Sequence, residues 1–334
     1  MRPSLKPSLT PSSGFEPLLS LLQKQLSAVN TCLLQKMESP VTLIPEIAGY
    51  LISLGGKRLR PLLTIASAEL CGYNGERHIH LAACVEFIHT ATLLHDDVVD
   101  ESTLRRGRQT ANSLWNNKAS VLVGDFLFSK AFELMVADGS LEILDILSKA
   151  SSAISEGEVL QLSMSHSLEL TQETYLKIIE SKTARLFSAA TEVGAVVAEA
   201  SDEKRKALAQ FGQALGIAFQ LMDDILDYTA NQGQLGKTIG DDFREGKVTL
   251  PLLLAYQKGS EAAFWEDMLA KETRDDNDLQ KALSLLNESN ALIESKQKAA
   301  IYVEKALACL AKFPPSPLKY ALEELAHFSL HREM

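Results

Sequence analysis

Cysteine is scarce: Cys32, Cys71, Cys84 and Cys309 are the only four in 334 residues. None forms a CxxC and no Cys/His cluster has zinc-ligand spacing, so they read as small core residues in a reducing cytoplasm, not as a disulfide or zinc framework. Long uncharged apolar runs are missing too, and nothing approaches the roughly eighteen residues that a bilayer span needs. The first fifteen residues, MRPSLKPSLTPSSGF, carry Arg2, Lys6 and three prolines but no acid and no apolar core. That excludes a secretory signal, and the prolines argue against an amphipathic transit helix; residues 1–14 are expected to form a disordered tail. Positive charge is not in excess: 33 Lys+Arg stand against 43 Asp+Glu, a net charge of −10. Nonspecific binding to nucleic acid or to an anionic membrane is thereby disfavoured. No alternating strand-like run, fixed-period repeat or low-complexity linker occurs.

What is present is helical periodicity over almost the whole chain, with 46% hydrophobic and 23% charged residues, enough to bury a large core. Leu18, Leu19, Leu22, Leu26 and Val29 recur at three and four. Helices are expected over Leu43–Leu54, ending at Gly55-Gly56, and from Pro61 to Leu70. Others should cover Ile79–Glu101, Ala119–Val136 (broken by Asp138-Gly139-Ser140) and Leu141–Ser165. Tyr175–Ala200 should follow, capped by Thr171 or Thr174, and then a helix capped by Asp202 and running to Tyr228. A loop is marked by Asn231-Gln232-Gly233 and Gly236. Leu250–Gln257, Ala262–Leu269, Leu279–Leu286, Leu292–Leu310 and Leu318–Leu330 complete the series. The fold class is all-α: residues 15–334 as one large helical bundle around a central cavity.

Two acidic clusters carry the chemistry. Asp96-Asp97-Val98-Val99-Asp100 and Asp223-Asp224-Ile225-Leu226-Asp227 are both DDxxD patterns inside apolar helical runs. Asp96 and Asp100 share one helical face, as do Asp223 and Asp227, and like charges at that spacing destabilise a helix unless compensated. One cluster alone is as readily a solvated acidic face; two, each embedded in Leu, Val, Ile and Met, are not. Hard oxygen ligands suit Mg²⁺, which keeps waters and bridges phosphates.

Basic partners accompany both clusters. Gly55-Gly56-Lys57-Arg58-Leu59-Arg60-Pro61 is a turn leading into a helix, where Lys57 and Arg60 can meet an anion. Arg105-Arg106-Gly107 follows the first cluster, Lys182-Thr183 lies mid-helix, and Gly236-Lys237-Thr238 and Lys247 follow the second. Arg58, Arg108 and Arg244 read as solvated surface. Neither glycine-containing basic stretch fits GxxxxGK[ST], so nucleotide binding through a P-loop is rejected. His89 lies two helical turns before Asp96 and could donate to a diphosphate, although a packed histidine is the commoner case; His95 reads as a packing residue.

GGKRLRP, LLHDDVVDES followed by LRRG, and FQLMDDILDY followed by GKTIGDDFREGKVTLP resemble the trans-isoprenyl diphosphate synthases, from about Phe15 to the C-terminus. The resemblance implies a homodimeric, cytoplasmic helical-bundle enzyme that joins isopentenyl diphosphate to an allylic primer, farnesyl diphosphate or shorter. It implies Mg²⁺, about three ions per site once diphosphate is bound. Asp96, Asp100 and Asp223 would bind the metal, with Asp97, Asp224 and Asp227 in support. Arg105, Lys182, Thr183, Gln220, Lys237 and Lys247 would hold the allylic diphosphate, and Lys57, Arg60, His89 and Arg106 isopentenyl diphosphate. The implied mechanism is ionisation to an allylic carbocation, attack by the isopentenyl double bond and loss of a proton to the departed diphosphate, with no protein base.

In this family the residue five before the first motif helps set product length, and a bulky aromatic there shortens it. Here it is Ala91, beside Thr92, roughly 7.5 Å down the helix from the metals. Ile88 and Cys84 continue that side without an aromatic. Phe126, Phe128, Phe132 and Met135 are candidates for a deeper floor. The flanking text resembles bacterial members that make octaprenyl or decaprenyl diphosphate for quinone side chains, products whose release suggests peripheral membrane association. The alternatives are a short-chain synthase making farnesyl or geranylgeranyl diphosphate, a non-catalytic partner subunit, and a terpene cyclase. Asn116 departs from the family pattern, which has glycine there.

Overall fold

Helix follows helix because the apolar three–four periodicity is interrupted only at turn residues. The computed structural model describes residues 14–53, 56–105, 107–229, 239–259 and 261–331. The N-terminal expectation for residues 1–13, the loop at 231–236, Arg106 and Lys237 lie outside them. The first half comprises α1 (Glu16–Lys36), α2 (Leu43–Ser53), α3 (Leu59–Leu70), α4 (Arg77–Val99), α5 (Ala111–Trp115), α6 (Asn117–Asp138) and α7 (Leu141–Met164). Then come α8 (Gln172–Ile179), α9 (Arg185–Val197), α10 (Asp202–Thr229), α11 (Asp241–Arg244), α12 (Leu250–Gln257), α13 (Ala262–Ala270), α14 (Asp276–Glu288), α15 (Ala291–Leu310) and α16 (Pro317–Leu330).

Three local differences from the sequence reading have identifiable causes. A two-stranded hairpin, β1 (Leu104–Arg105) and β2 (Arg108–Gln109), pairs antiparallel where no strand was expected. It is too short for periodicity to reveal, and Gly107 at φ +72° supplies the turn. The helix expected over Tyr175–Ala200 contains a π-helical turn at Glu180–Ala184 between α8 and α9, a widening often found at functional sites. Ser201 rather than Asp202 caps α10, its Oγ accepting from Lys204 N (3.5 Å). Asn116 sits at φ +89°, a glycine-like backbone, and compensates by accepting from Ala119 N (3.1 Å) as the N-cap of α6.

α9 is the hub. Its residues from Leu186 to Ala190 and most of those to Val197 are buried, so it is enclosed on nearly every side. It packs against α3, α4, α7 and α10. α10 comes close because of Gly212 and Gly216, where a Cβ would lie 2.4 Å from Phe187 O and 2.6 Å from Ala184 Cα. One apolar cluster gathers α1 to α7, α9, the first half of α10, the end of α15 and α16; a second gathers α8, the rest of α10, α12 to α14 and the start of α15, with Tyr302 and Leu330 packed against both. α4 and α10 thus flank α9 with little direct contact between themselves. No helix among the described residues is long and apolar enough to cross a membrane.

Candidate active site

The first acidic motif closes α4. Asp97 is buried and takes two bonds from Arg105, Nε and Nη2 to Oδ1 at 2.9 and 2.8 Å. The hairpin delivers that arginine, and Asn112 Nδ2 donates to the Asp97 and Ser102 carbonyls (3.1 Å each), tying the turn to the end of α4. Asp97 Oδ2 is buried without a hydrogen-bond partner. Asp100, the C-cap of α4, meets Lys247 Nζ at 2.9 Å across 147 positions of sequence. Lys247 also holds Glu245 (2.7 Å). Burial would depress this lysine, but Asp100, Asp242 and Glu245 outweigh it and hold its pKa above the usual range. Burial pushes the Asp96 carboxyl up to about 7; Lys182 and Arg105 oppose the shift, while Glu158 and Asp100 reinforce it.

The second motif is held differently. Asp224 is buried, with Tyr175 OH donating to Oδ2 and Gln220 Nε2 to Oδ1 (2.9 Å). Gln220 in turn accepts from Thr183 Oγ1 (2.8 Å) in the π-helical turn. Burial, then Asp242, raises Asp224 to about 8, against the pull of Tyr175 and Gln220. Asp227 accepts from the main-chain N–H groups of Asp241 and Asp242, 3.2 Å each, at the start of α11. Asp223 exerts its charge on Arg60 of α3.

Arg60 links α4 to the second motif. Its Nη1 lies 3.1 Å from His89 Nε2 on α4, and its guanidinium lies over the Phe187 ring at 4.6 Å. Burial lowers its pKa to about 10, while Glu86 and Asp223 pull the other way. Lys57 Nζ lies 5.0 Å over the Phe328 ring. Lys182 is held by Glu158 Oε2 and Gln161 Oε1, both at 2.8 Å. Gly157 permits this approach, since a Cβ there would fall 2.9 Å from Lys182 N. Of the expected surface arginines, Arg58 is instead partly buried and paired with buried Glu86, and Arg244 bonds Ile239 O and Asp276. His95 packs on α6, its Nε2 3.3 Å from Val121 O.

On the side of α4 expected to set product length, Ala91, Ile88 and Cys84 are fully buried, and Thr92 bonds its own helix at His89 O (2.8 Å). Phe132 is not brought under them. It is 43% exposed on the outer face of α6, whose inner face presents Leu127, Ala131, Leu134 and Met135. The sequence reading missed Tyr175 and the Glu158/Gln161 pair. Tyr175 stands seven residues before Lys182 and Glu158 three before Gln161, helical spacings that could have marked them.

The chemistry of the donor set fits a hard divalent ion. Asp96 and Asp100 offer oxygen alone, one turn apart, beside the unpartnered Oδ2 of Asp97. Mg²⁺ bound by few carboxylates takes its remaining oxygens from phosphate and water.

Comparison with known proteins agrees. The sequence profile of the family described as "Polyprenyl synthetase" matches residues 41–286. The chain is 44% identical to the octaprenyl diphosphate synthase of Escherichia coli (strain K12) over 321 residues, 96% of this chain and 99% of that one. The crystal structure of a decaprenyl diphosphate synthase from Rhodobacter capsulatus matches with TM-score 0.91 at 48% identity, covering 96% of this chain and 99% of that one. A polyprenyl synthase from Caulobacter crescentus CB15, complexed with calcium and isoprenyl diphosphate, matches with TM-score 0.93 at 50% identity, covering 99% and 100%.

Proposed function

The chain belongs to the polyprenyl synthetase family, and on that premise we propose how its side chains carry the reaction of a medium- to long-chain trans-polyprenyl diphosphate synthase. The enzyme condenses isopentenyl diphosphate onto an allylic primer, farnesyl diphosphate or shorter, to octaprenyl or decaprenyl length, for quinone side chains.

Asp96, Asp100 and Asp223 would hold the divalent ions, Mg²⁺ on this reading, about three per site once diphosphate is bound. Asp97, Asp224 and Asp227 stand behind them, fixed by Arg105, by Tyr175 with Gln220, and by the α11 amides. Bound Mg²⁺ neutralises charge developing on the leaving diphosphate. Arg105, Lys182, Thr183, Gln220, Lys237 and Lys247 hold the allylic diphosphate; Lys182 and Lys247 reach it by exchanging Glu158 and Asp100 for phosphate oxygens. Lys57, Arg60, His89 and Arg106 hold isopentenyl diphosphate. The buried Ala91–Ile88–Cys84 side of α4 keeps water from the carbocation and leaves room for the growing chain.

One observation supports this most: Arg60, within 3.1 Å of His89 on the helix that ends in the first motif, also responds to Asp223 of the second, so α3 brings a cation between α4 and α10. The assembly is read as a homodimer, in the cytoplasm, with residues 15–334 as its one domain and peripheral membrane contact for product release. Exposed Val121, Leu122, Phe132 and Val136 on α6, with Leu141, Val159 and Leu162 on α7, favour a partner covering that face. Incubation with farnesyl diphosphate and labelled isopentenyl diphosphate, followed by chromatography, should yield octaprenyl to decaprenyl products. A geranylgeranyl product or shorter would overturn the length assignment. Ala91→Phe should shorten the product, and an unchanged product would mean that the chain avoids that side of α4.

A further inference from the structure

Arg274 stands in the turn between α13 and α14, remote in sequence from both acidic motifs, and is only 6% exposed. Burying a guanidinium without a carboxylate partner is costly. Arg274 forms no ion pair among the described residues; Asp278 acts on it only at longer range. Its partners are instead two main-chain carbonyls and an imidazole. Nη1 donates to Arg244 O (3.0 Å) at the end of α11 and Nη2 to Leu269 O (3.3 Å) in the last turn of α13; Nη2 also lies 3.1 Å from His166 Nδ1 after α7, itself 3.2 Å from Leu269 O. One cation therefore caps two helix C-termini, where carbonyl dipoles favour positive charge.

These contacts surround Gly246. Its φ of +74° is glycine's region, and a Cβ would meet His166 Cε1 at 2.3 Å and Arg274 Nη2 at 2.9 Å. His166 N also donates to Gly246 O (3.4 Å). The next residue is Lys247, whose ammonium reaches Asp100. The stretch from Gly240 to Lys247 is thus pinned in front by Asp227, behind by Arg274 and His166, and at its tip by Asp100.

We propose that Arg274, with His166, is a positioning pair for Lys247: it fixes the backbone from which that lysine reaches the first aspartate motif and the allylic diphosphate. The proposal rests on the reading of Lys247 as an allylic-diphosphate ligand. A merely structural staple would lower stability and leave substrate binding balanced, whereas a positioning pair weakens one substrate selectively.

The test compares Arg274→Gln, His166→Ala and Lys247→Ala with each double variant carrying Lys247→Ala, in the full-length enzyme. The readouts are KM for the allylic primer and for isopentenyl diphosphate, and calorimetric binding of inorganic diphosphate with Mg²⁺. Each single variant should raise the allylic KM and weaken diphosphate binding about tenfold, the loss of one charge-assisted contact, with isopentenyl KM moving less than about twofold. Once Lys247 is alanine, the second substitution should add less than about twofold. Additive losses, or equal losses for both substrates, would overturn the proposal. Loss of effect at Lys247→Ala itself would instead locate the failure in the ligand reading. His166→Ala, at a less buried residue, carries the test if Arg274→Gln does not fold.

Discussion

Asp96-Asp97-x-x-Asp100 at the end of α4 and Asp223-Asp224-x-x-Asp227 near the end of α10 share one pattern, but the groups that hold them differ in kind. Around the first stand long cations brought from elsewhere in the chain: Arg105 on Asp97, Lys247 on Asp100, and Lys182 within electrostatic reach of Asp96. Among the described residues, the groups on Asp224 and Asp227 are neutral donors, the Tyr175 hydroxyl and Gln220 amide on Asp224 and main-chain N–H groups on Asp227, while Asp223 acts on the cation Arg60. Both motifs lie toward helix C-termini, where carbonyl dipoles disfavour carboxylates, so both need compensation. Cations compensate by charge and can transfer to a phosphate. Neutral donors fix geometry and leave the negative charge for a metal. The described holders of Asp97 and Asp100 are thus cations, and those of Asp224 and Asp227 neutral donors.

The largest effect tests which carboxylates face substrate. Asp96→Asn and Asp223→Asn should each lower kcat/KM by about a thousandfold or more, with circular dichroism unchanged. Asp224→Asn, at a buried supporting position, should lose about ten- to a hundredfold. Equal losses at Asp223 and Asp224 would erase the distinction between facing and supporting groups.

A smaller effect separates the two kinds of holder. Tyr175→Phe removes the donor to a buried carboxylate oxygen and should cost about 1–3 kcal/mol in urea unfolding, with little dependence on salt. Arg105→Gln should cost about 1 kcal/mol, shrinking as sodium chloride is added, because the arginine is partly solvated. Matching salt dependence in the two variants would break the contrast.

Much of this was legible in the sequence, for reasons that also explain the gaps. The helices announce themselves because each buries one face, and the aspartates because charge amid Leu, Val and Ile demands a partner. Arg58 was misjudged because its partner, Glu86, lies on another helix, and sequence carries no measure of that distance. Phe132 was placed inward on residue type alone, yet Ala131 and Met135 take the face toward α4. Tyr175 escaped notice because a tyrosine at helical spacing is ordinary core. Only the tertiary packing shows its hydroxyl at Asp224. The hairpin at 104–109 is shorter than any periodic signal, yet it delivers Arg105.

The subtlest consequence lies in pH. Burial holds Asp96 near about 7 and Asp224 near about 8, whereas unfolded aspartates titrate near about 4. Between those limits the native, metal-free protein binds more protons than the unfolded chain, so stability falls as pH rises through the native values. Asp97 and Glu245, also raised by burial, act in the same sense; buried His78, lowered by burial, opposes it around its own titration. Thermal midpoints in chelator should therefore decline by a few degrees from about pH 5 to about pH 8.5. Asp96→Asn should reduce the slope below about pH 7 only, whereas Asp224→Asn should reduce it up to about pH 8, so the segment above about pH 7 reports Asp224. Mg²⁺ with diphosphate, which favours the ionised carboxylates, should shrink or reverse the slope. A midpoint that rises across the same range without metal would mean that these aspartates are already ionised in the folded chain, and that their holders, cationic or neutral, outweigh burial.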